Sequence, residues 1–375
     1  MMETLIRAGV DKGASTLHIK AGDVFRARIK ADLVKLSEEP FTEEEVRSIA
    51  LTLLPDQALK DRIDEITDYD FAWEMADVAR FRVNILRQRG SFMVVMRVIP
   101  WEVPGFDELG LPAVLADIAD QPDGLVLVSG PTGQGKSTTQ AAMIDWVNRN
   151  RMRHIITLED PIEYWHENIQ STVTQREIEH DTESFRTGLR SALRQDPDVI
   201  LIGEMRDVET FETAFEASET GHLVISTMHS NTAVGAITHI LAMFPDSKDA
   251  LVRRRLAYSL RAIISQRLVS RLDGGRIPAV EVLVGTAAVG DAILQGEVQQ
   301  AIMRLMQEGD AYGMQTFDQH LTRLVTEGTV GYEAAKQIAS NPADFELFLQ
   351  TLATSEPPAK DTADFVSRDY FPGDA

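Results

Sequence analysis

The stretch Gly130-Pro131-Thr132-Gly133-Gln134-Gly135-Lys136-Ser137-Thr138 constrains this chain more than any other. It follows the apolar run Leu125-Val126-Leu127-Val128 and leads into a helix-forming segment at 140–146, so the order is strand, glycine loop, helix. That is the full GxxxxGK[ST] pattern in the context the motif requires. The glycines let successive backbone N–H groups turn inward on a phosphate, and the helix that follows adds the positive end of its dipole. In such a loop Lys136 reaches the β- and γ-phosphates of ATP, and the Ser137 hydroxyl takes a place on Mg²⁺. A glycine-rich turn with no ligand would leave the Lys136-Ser137 pair without a purpose.

The rest of the chain supplies the setting. Residues 16–20 and 24–29 alternate as half-buried strands do, with Gly22 and Asp23 between them. Thr42 and Glu45 form a capping box at the start of a helix that runs to about Leu54. Three strands follow at 69–73, 79–85 and 91–99, so the first 99 residues read as a small α+β domain with a meander sheet. Residues 100–106, rich in proline and glycine, read as a linker. Beyond it, strands at 125–129, 154–159, 198–203 and 222–228 alternate with helices near 137–149, 182–195, 208–219 and 233–243. The strands are apolar without clear alternation, as expected when both faces of a sheet are covered. This predicts a doubly wound α/β core over 107–353. Two further strands, 263–269 and 277–284, flank an Asp273-Gly274-Gly275 turn. A helical region begins near Thr286, and an acidic, disordered tail over 354–375 closes the chain.

A phosphate loop alone admits kinases, GTPases, helicases and motors, so the next acids decide. Glu204 ends the strand that starts at Asp198, beside the expected place of the loop strand, on the edge where parallel sheets bind ligands. There it can orient or deprotonate the water that attacks the γ-phosphate. Glu159 and Glu163 follow the strand at 154–158 and could hold Mg²⁺ through its waters, or form a solvated turn. His222 and His229 flank the strand 223–228, too far apart to chelate together. His229 could sense the γ-phosphate, and His222 fits a structural role equally well. Arg80 and Arg82, two apart on one strand, share a face; with Arg97 they could clamp a phosphate or lie on a solvated surface.

The formal charge of −21 disfavours nucleic acid as a partner. Cysteine is absent, which removes disulfides and thiol catalysis and is compatible with a reducing cytoplasm. No apolar run is long enough to cross a bilayer, and the first residues lack a secretory pattern, so any membrane association is expected only through partners.

The segments GPTGQGKSTT at 130–139, ITLEDPIEY at 156–164, LRSALRQDPDVILIGEMRD at 189–207 and ETGHLVISTMHS at 219–230 resemble the Walker A, Asp box, Walker B and His box of secretion-superfamily ATPases. They are most similar to the PilT/PilU family of type IV pilus retraction ATPases. The likeness runs from about residue 5 to 350 and includes ASTLHIKAG, VARFRVN and GMQTFDQ. The resemblance implies a homohexameric ring at the cytoplasmic face of the inner membrane, with a PAS-like N-terminal domain and a RecA-like ATPase domain. It implies hydrolysis of ATP with Mg²⁺, coupled to pilus retraction through an inner-membrane platform protein. It implies that Glu204 is the catalytic glutamate, that His222 and His229 are the His-box positions, and that Arg80, Arg82 and Arg97 reach ATP held by the adjacent subunit. Two departures refine it. Without cysteine there is no tetracysteine zinc element, which points away from pilus extension. Residues 286–296 depart from the AIRNLIRE segment typical of PilT and look more like PilU, which implies a possible accessory role beside a PilT-type ATPase.

Overall fold

The computed structural model describes residues 2–29, 32–99 and 102–355. The expected tail from residue 356 on, and the first two residues of the expected linker, lie outside the described residues. The chain divides into two compact units, Met1–Val103 with Glu163–Trp165, and Pro104–Ile162 with the chain from His166 onward.

The first unit is built on an antiparallel sheet of β1 (Ala14–Lys20), β2 (Val24–Ile29), β3 (Asp32–Pro40), β4 (Asp68–Met75), β5 (Ala79–Gln88) and β6 (Ser91–Ile99). Its order is β3-β2-β1-β6-β5-β4. This corrects the single meander expected from the sequence: there are two, joined where β1 pairs β6 from Thr16↔Arg97 to Lys20↔Met93. The alternation explains the one-sided core. Leu17, Ile19, Phe25, Ala27, Phe81, Val83, Ile85, Val94 and Met96 are buried together with Val46, Ile49, Ala50 and Leu53 of the helix Glu43–Leu53. That helix starts with the capping box: Glu45 N–H donates to Thr42 Oγ1 at 3.2 Å, and Thr42 N–H donates to Glu45 Oε2 at 2.8 Å. β3, absent from the sequence reading, is an edge strand with no buried residue.

The second unit carries β7 (Gly124–Ser129), β8 (His154–Glu159), β9 (Thr172–Glu177), β10 (Val199–Ile202), β11 (Leu223–Met228), β12 (Leu260–Ser270) and β13 (Arg276–Val284). The order is β13-β12-β7-β11-β10-β8-β9, parallel throughout except for β13 against β12. Every residue of β7 and β11 is buried. Leu125 and Leu127 face one core with the helices Val208–Glu219 and Ala233–Met243, while Val126 and Val128 face another with the helix Lys136–Asn150. Each such side chain contributes about 1.5–3 kcal/mol on burial, so the central strands need apolar residues at every position. The helices 208–219 and 233–243 and the strand 154–159 fall where the sequence places them; β9 and the helix Asp249–Ser259 are additional. Helices Phe317–Thr326 and Tyr332–Ile338 pack Phe317, Leu321, Leu324 and Tyr332 on Val269, Ile277 and Ala279 of the β12–β13 hairpin.

Candidate functional site

The phosphate loop leaves β7 at Ser129 and enters its helix at Lys136. Two glycines are demanded by geometry. Gly130 has φ 147°, and a Cβ there would lie 2.6 Å from the Gln266 carbonyl oxygen; Gly135, with φ 83°, is the left-handed residue that turns the chain into the helix. Pro131, Thr132 and Gly133 are exposed at the tip, with Gln134 and Ser137 half-buried. The Lys136 ammonium is buried across the loop mouth and donates to the carbonyls of Gly130 at 2.8 Å and Pro131 at 3.1 Å. Ser137 and Thr138 follow on the first helical turn, where the helix dipole favours an anion.

A neighbouring strand braces the loop. Gln266 of β12, 1% exposed, accepts from Thr139 Oγ1 at 2.8 Å and donates from Nε2 to the Gln134 carbonyl at 2.5 Å. Gln134 returns the contact by accepting from Leu268 N–H at 2.6 Å, and Ser129 Oγ lies 2.7 Å from Ser265 Oγ. Sequence reasoning missed Gln266 and Ser265; their signal was a pair of polar residues inside an apolar strand.

Glu204 stands just beyond the C-terminal end of β10, on the same sheet edge as the loop. The expectation that its strand lies beside the loop strand is corrected: β11 separates β10 from β7. The consequence is chemical, since β11 is followed directly by His229, whose Nε2 is 3.0 Å from Glu204 Oε1. Arg206 donates to Glu204 Oε2 at 2.7 Å. Partial burial alone would raise the Glu204 carboxyl, yet the Arg206 hydrogen bond and the charges of Arg206, His229 and Lys136 together hold it below its usual range. It is therefore an anion at neutral pH.

Glu159 ends β8 on that edge and accepts from Thr157 Oγ1 at 2.6 Å and Gln175 Nε2 at 3.0 Å. Glu163 falls in the segment Glu163–Trp165, which groups with the first compact unit, whereas Glu159 belongs to the second. His222 precedes β11 at the opposite end of the sheet from the loop, where its backbone carbonyl accepts from Gly124 N–H and its Nδ1 lies 2.9 Å from the Ala217 carbonyl oxygen. In its own chain it is a structural residue that ties a helix end to a strand start.

In the first unit Arg80 and Arg82 alternate outward along β5, and Arg97 of β6 pairs directly opposite Arg82. The three arginines thus share the outer face of the sheet. Arg82 lies 3.4 Å from Asp70 of β4, and the Arg80 guanidinium is 4.8 Å from the Trp165 ring centroid.

An Mg²⁺ ion fits the donor chemistry. Ser137 and the edge carboxylates offer oxygen ligands, and no cluster of three or more His, Cys, Asp or Glu capable of caging a metal exists among the described residues. A site with few protein ligands suits Mg²⁺, which keeps several waters and shares substrate phosphates. No helix among the described residues is long and apolar enough to cross a membrane.

The family described as Type II/IV secretion system protein matches residues 5–277. The chain is 42% identical over 341 residues to the type IV pilus retractation ATPase PilT of Pseudomonas aeruginosa, across 91% of this chain and 98% of that protein. It is 39% identical over 355 residues to the type IV pilus ATPase PilU of the same organism, across 94% and 92%. The solved structure of the pilus retraction motor PilT with bound ADP aligns with a TM-score of 0.83 at 41% identity, covering 91% of this chain and 97% of that one.

Proposed function

Because the chain belongs to the type II/IV secretion system protein family, we propose that it is a motor ATPase of the PilT/PilU type that couples ATP hydrolysis to type IV pilus retraction. The observation that carries this reading is the convergence of Lys136, Glu204 and His229 at one sheet edge, next to a braced phosphate loop.

The roles follow from position. Backbone N–H groups of 132–138 bind the phosphates, and Lys136 neutralises the outer two. Glu204, held ionised by Arg206 and His229, orients the attacking water and takes its proton as the terminal bond breaks. His229 stands where it can report the terminal phosphate to Glu204. The Ser137 hydroxyl would hold Mg²⁺, which when bound would supply charge neutralisation. Glu159 shapes the far side of the edge.

Asp70 already lies 3.4 Å from Arg82, and a face with three guanidinium groups on it suits a further anion such as a phosphate. In a homohexamer, Arg80, Arg82 and Arg97 supply that contact to ATP on the adjacent subunit, so hydrolysis is completed only between chains. Work is then passed to an inner-membrane platform protein at the cytoplasmic face. The segment at 286–296, helical over Ala287–Gln295, favours a second reading in which the ring supports a PilT-type partner; overall identity does not separate PilT from PilU. A nucleic-acid translocase is not favoured for a chain of net charge −21.

The test is steady-state ATP hydrolysis against protein concentration, with ring assembly followed by light scattering. Specific activity should fall as rings dissociate. Activity that is constant down to the monomer refutes the shared site, and a ring that binds ATP yet turns over only beside a PilT-type protein supports the accessory reading.

A further inference from the structure

Strands covered on both faces rarely hold charge, yet the β12–β13 hairpin holds Arg267 and Glu281. Its register pairs Ser265 with Glu281 and Arg267 with Ala279, so the two charged residues are diagonal neighbours on one face. Glu281 is 2% exposed and accepts from the backbone N–H of Ala233 at 2.7 Å. Ala233 begins the helix Ala233–Met243, whose cap Thr232 accepts from Gly235 N–H at 3.0 Å. A buried acid thus meets the positive end of a helix.

Arg267 holds the other side of the same turn. It donates to the Asn231 carbonyl at 3.4 Å and to the Ile338 carbonyl at 2.6 Å, and its guanidinium lies 4.1 Å from the Phe317 ring centroid. One guanidinium therefore joins the turn after His229 to the helices Phe317–Thr326 and Tyr332–Ile338. Gln266, the next residue along β12 and on its opposite face, holds the phosphate loop. A single strand grips both walls of the site, with the loop on one face and the His229 turn on the other.

We propose that Arg267 and Glu281 are positioning residues for the terminal-phosphate side of the site: they fix residues 231–233, keep His229 against Glu204, and wire that turn to the C-terminal helices. This rests on the reading that Glu204 and His229 handle the γ-phosphate. Neither residue touches the reacting atoms. Their effect is confined to what the turn recognises, which is the third phosphate, whereas the β12 contacts to the phosphate loop serve ADP and ATP alike. The C-terminal helices become a lever on nucleotide state, because any shift of Phe317 or Ile338 moves the guanidinium that holds Asn231.

The test uses the full chain and reads affinity for ADP and for the non-hydrolysable β,γ-imido analogue of ATP, with circular dichroism melting as a check on folding. Glu281→Leu removes the acceptor for Ala233, and Arg267→Lys removes the fork that spans Asn231 and Ile338; Glu281→Gln keeps an acceptor. We expect the first two to lose about tenfold or more of the preference for the analogue over ADP while ADP affinity stays within about twofold, and Glu281→Gln to recover most of it. An unchanged preference, or loss of both affinities in parallel, overturns the assignment by making the pair merely structural. If Glu281→Leu does not fold, Arg267→Lys decides alone. A wild type that keeps the preference for the analogue but hydrolyses no ATP refutes the motor reading and leaves this assignment standing, whereas equal wild-type affinities refute the assignment.

Discussion

The two sheets put their functional groups in different places. In the second unit both faces of the sheet are covered, the central strands are apolar at every position, and the phosphate loop, Glu204 and His229 all sit on the C-terminal edge. In the first unit one face is core and the other is open, and Arg80, Arg82 and Arg97 stand on that open face. A covered sheet can act only at its ends, while a one-sided sheet can offer a whole surface. The edge is where a chain makes a site for itself; the face is where it can complete a site for a neighbour.

That contrast is open to direct attack. The largest effect is expected at the edge: Glu204→Gln should lower turnover about a thousandfold with ADP affinity kept. Mixing it with Lys136→Ala chains should restore nothing, because both defects lie within one subunit's own site. Recovery on mixing would break the distinction at once.

Next in size is the cost of charge inside the covered sheet. Burial pushes the Glu281 carboxyl up to about 7 from 4.5, against the pull of the Ala233 N–H and Arg267, with Asp318 adding to the rise. His320, whose Nδ1 accepts from Val280 N–H, is held down at about 4 by burial and stays neutral across that window. The folded chain thus binds the Glu281 proton more tightly than the unfolded chain, so its contribution is greatest below about 4.5 and is lost as pH rises to about 7. Relative to Glu281→Gln, the wild type should lose on the order of 3 kcal/mol of stability between acid and mildly alkaline pH. Denaturant titrations that stay parallel for the two proteins would contradict this.

A smaller effect belongs to the open face. Arg82→Ala should reduce turnover about tenfold to a hundredfold without weakening ADP binding at low protein concentration, where rings are absent. Here mixing with Lys136→Ala chains should recover activity, since one chain brings the loop and the other the arginine. Failure to recover would return the arginines to a surface role. Smallest of all, Thr42→Ala should cost about 1 kcal/mol in thermal unfolding, through loss of the helix cap, with turnover per assembled ring unchanged. A change in turnover would mean the one-sided sheet transmits more than its exposed face.

The same contrast explains what could be read in advance. The loop, its flanking strand and helix, and the capping box of Thr42 and Glu45 are local patterns, each complete within a few residues. The helices 208–219 and 233–243 stand where the alternation of strands and helices along the sequence places them. β3 and β9 did not, because edge strands with few buried positions carry little alternation. Strand order was equally hidden: nothing local says that β11 separates β7 from β10, or that β1 pairs β6. Gln266 acts on Gln134 across the chain, and Glu281 acts on Ala233, so no spacing could announce them. Their only trace was polarity at positions where a doubly covered strand should be apolar. His222 shows the reverse case, a motif residue whose contacts are those of a structural tie.

The strand inserted between the loop and Glu204 sets a length. Neighbouring strands stand about 4.8 Å apart, so β7 and β10 are about 9.6 Å apart at their ends. A nucleotide seated on the loop reaches across that opening only as far as its phosphate chain allows. On the proposed reading the sheet edge would work as a caliper: a diphosphate would close the jaw at Lys136, and only a third phosphate would extend toward the jaw at Glu204, with His229, just past the end of the strand between, as the gauge mark. On this view the difference between ATP and ADP is measured first as a distance and only then as a chemistry.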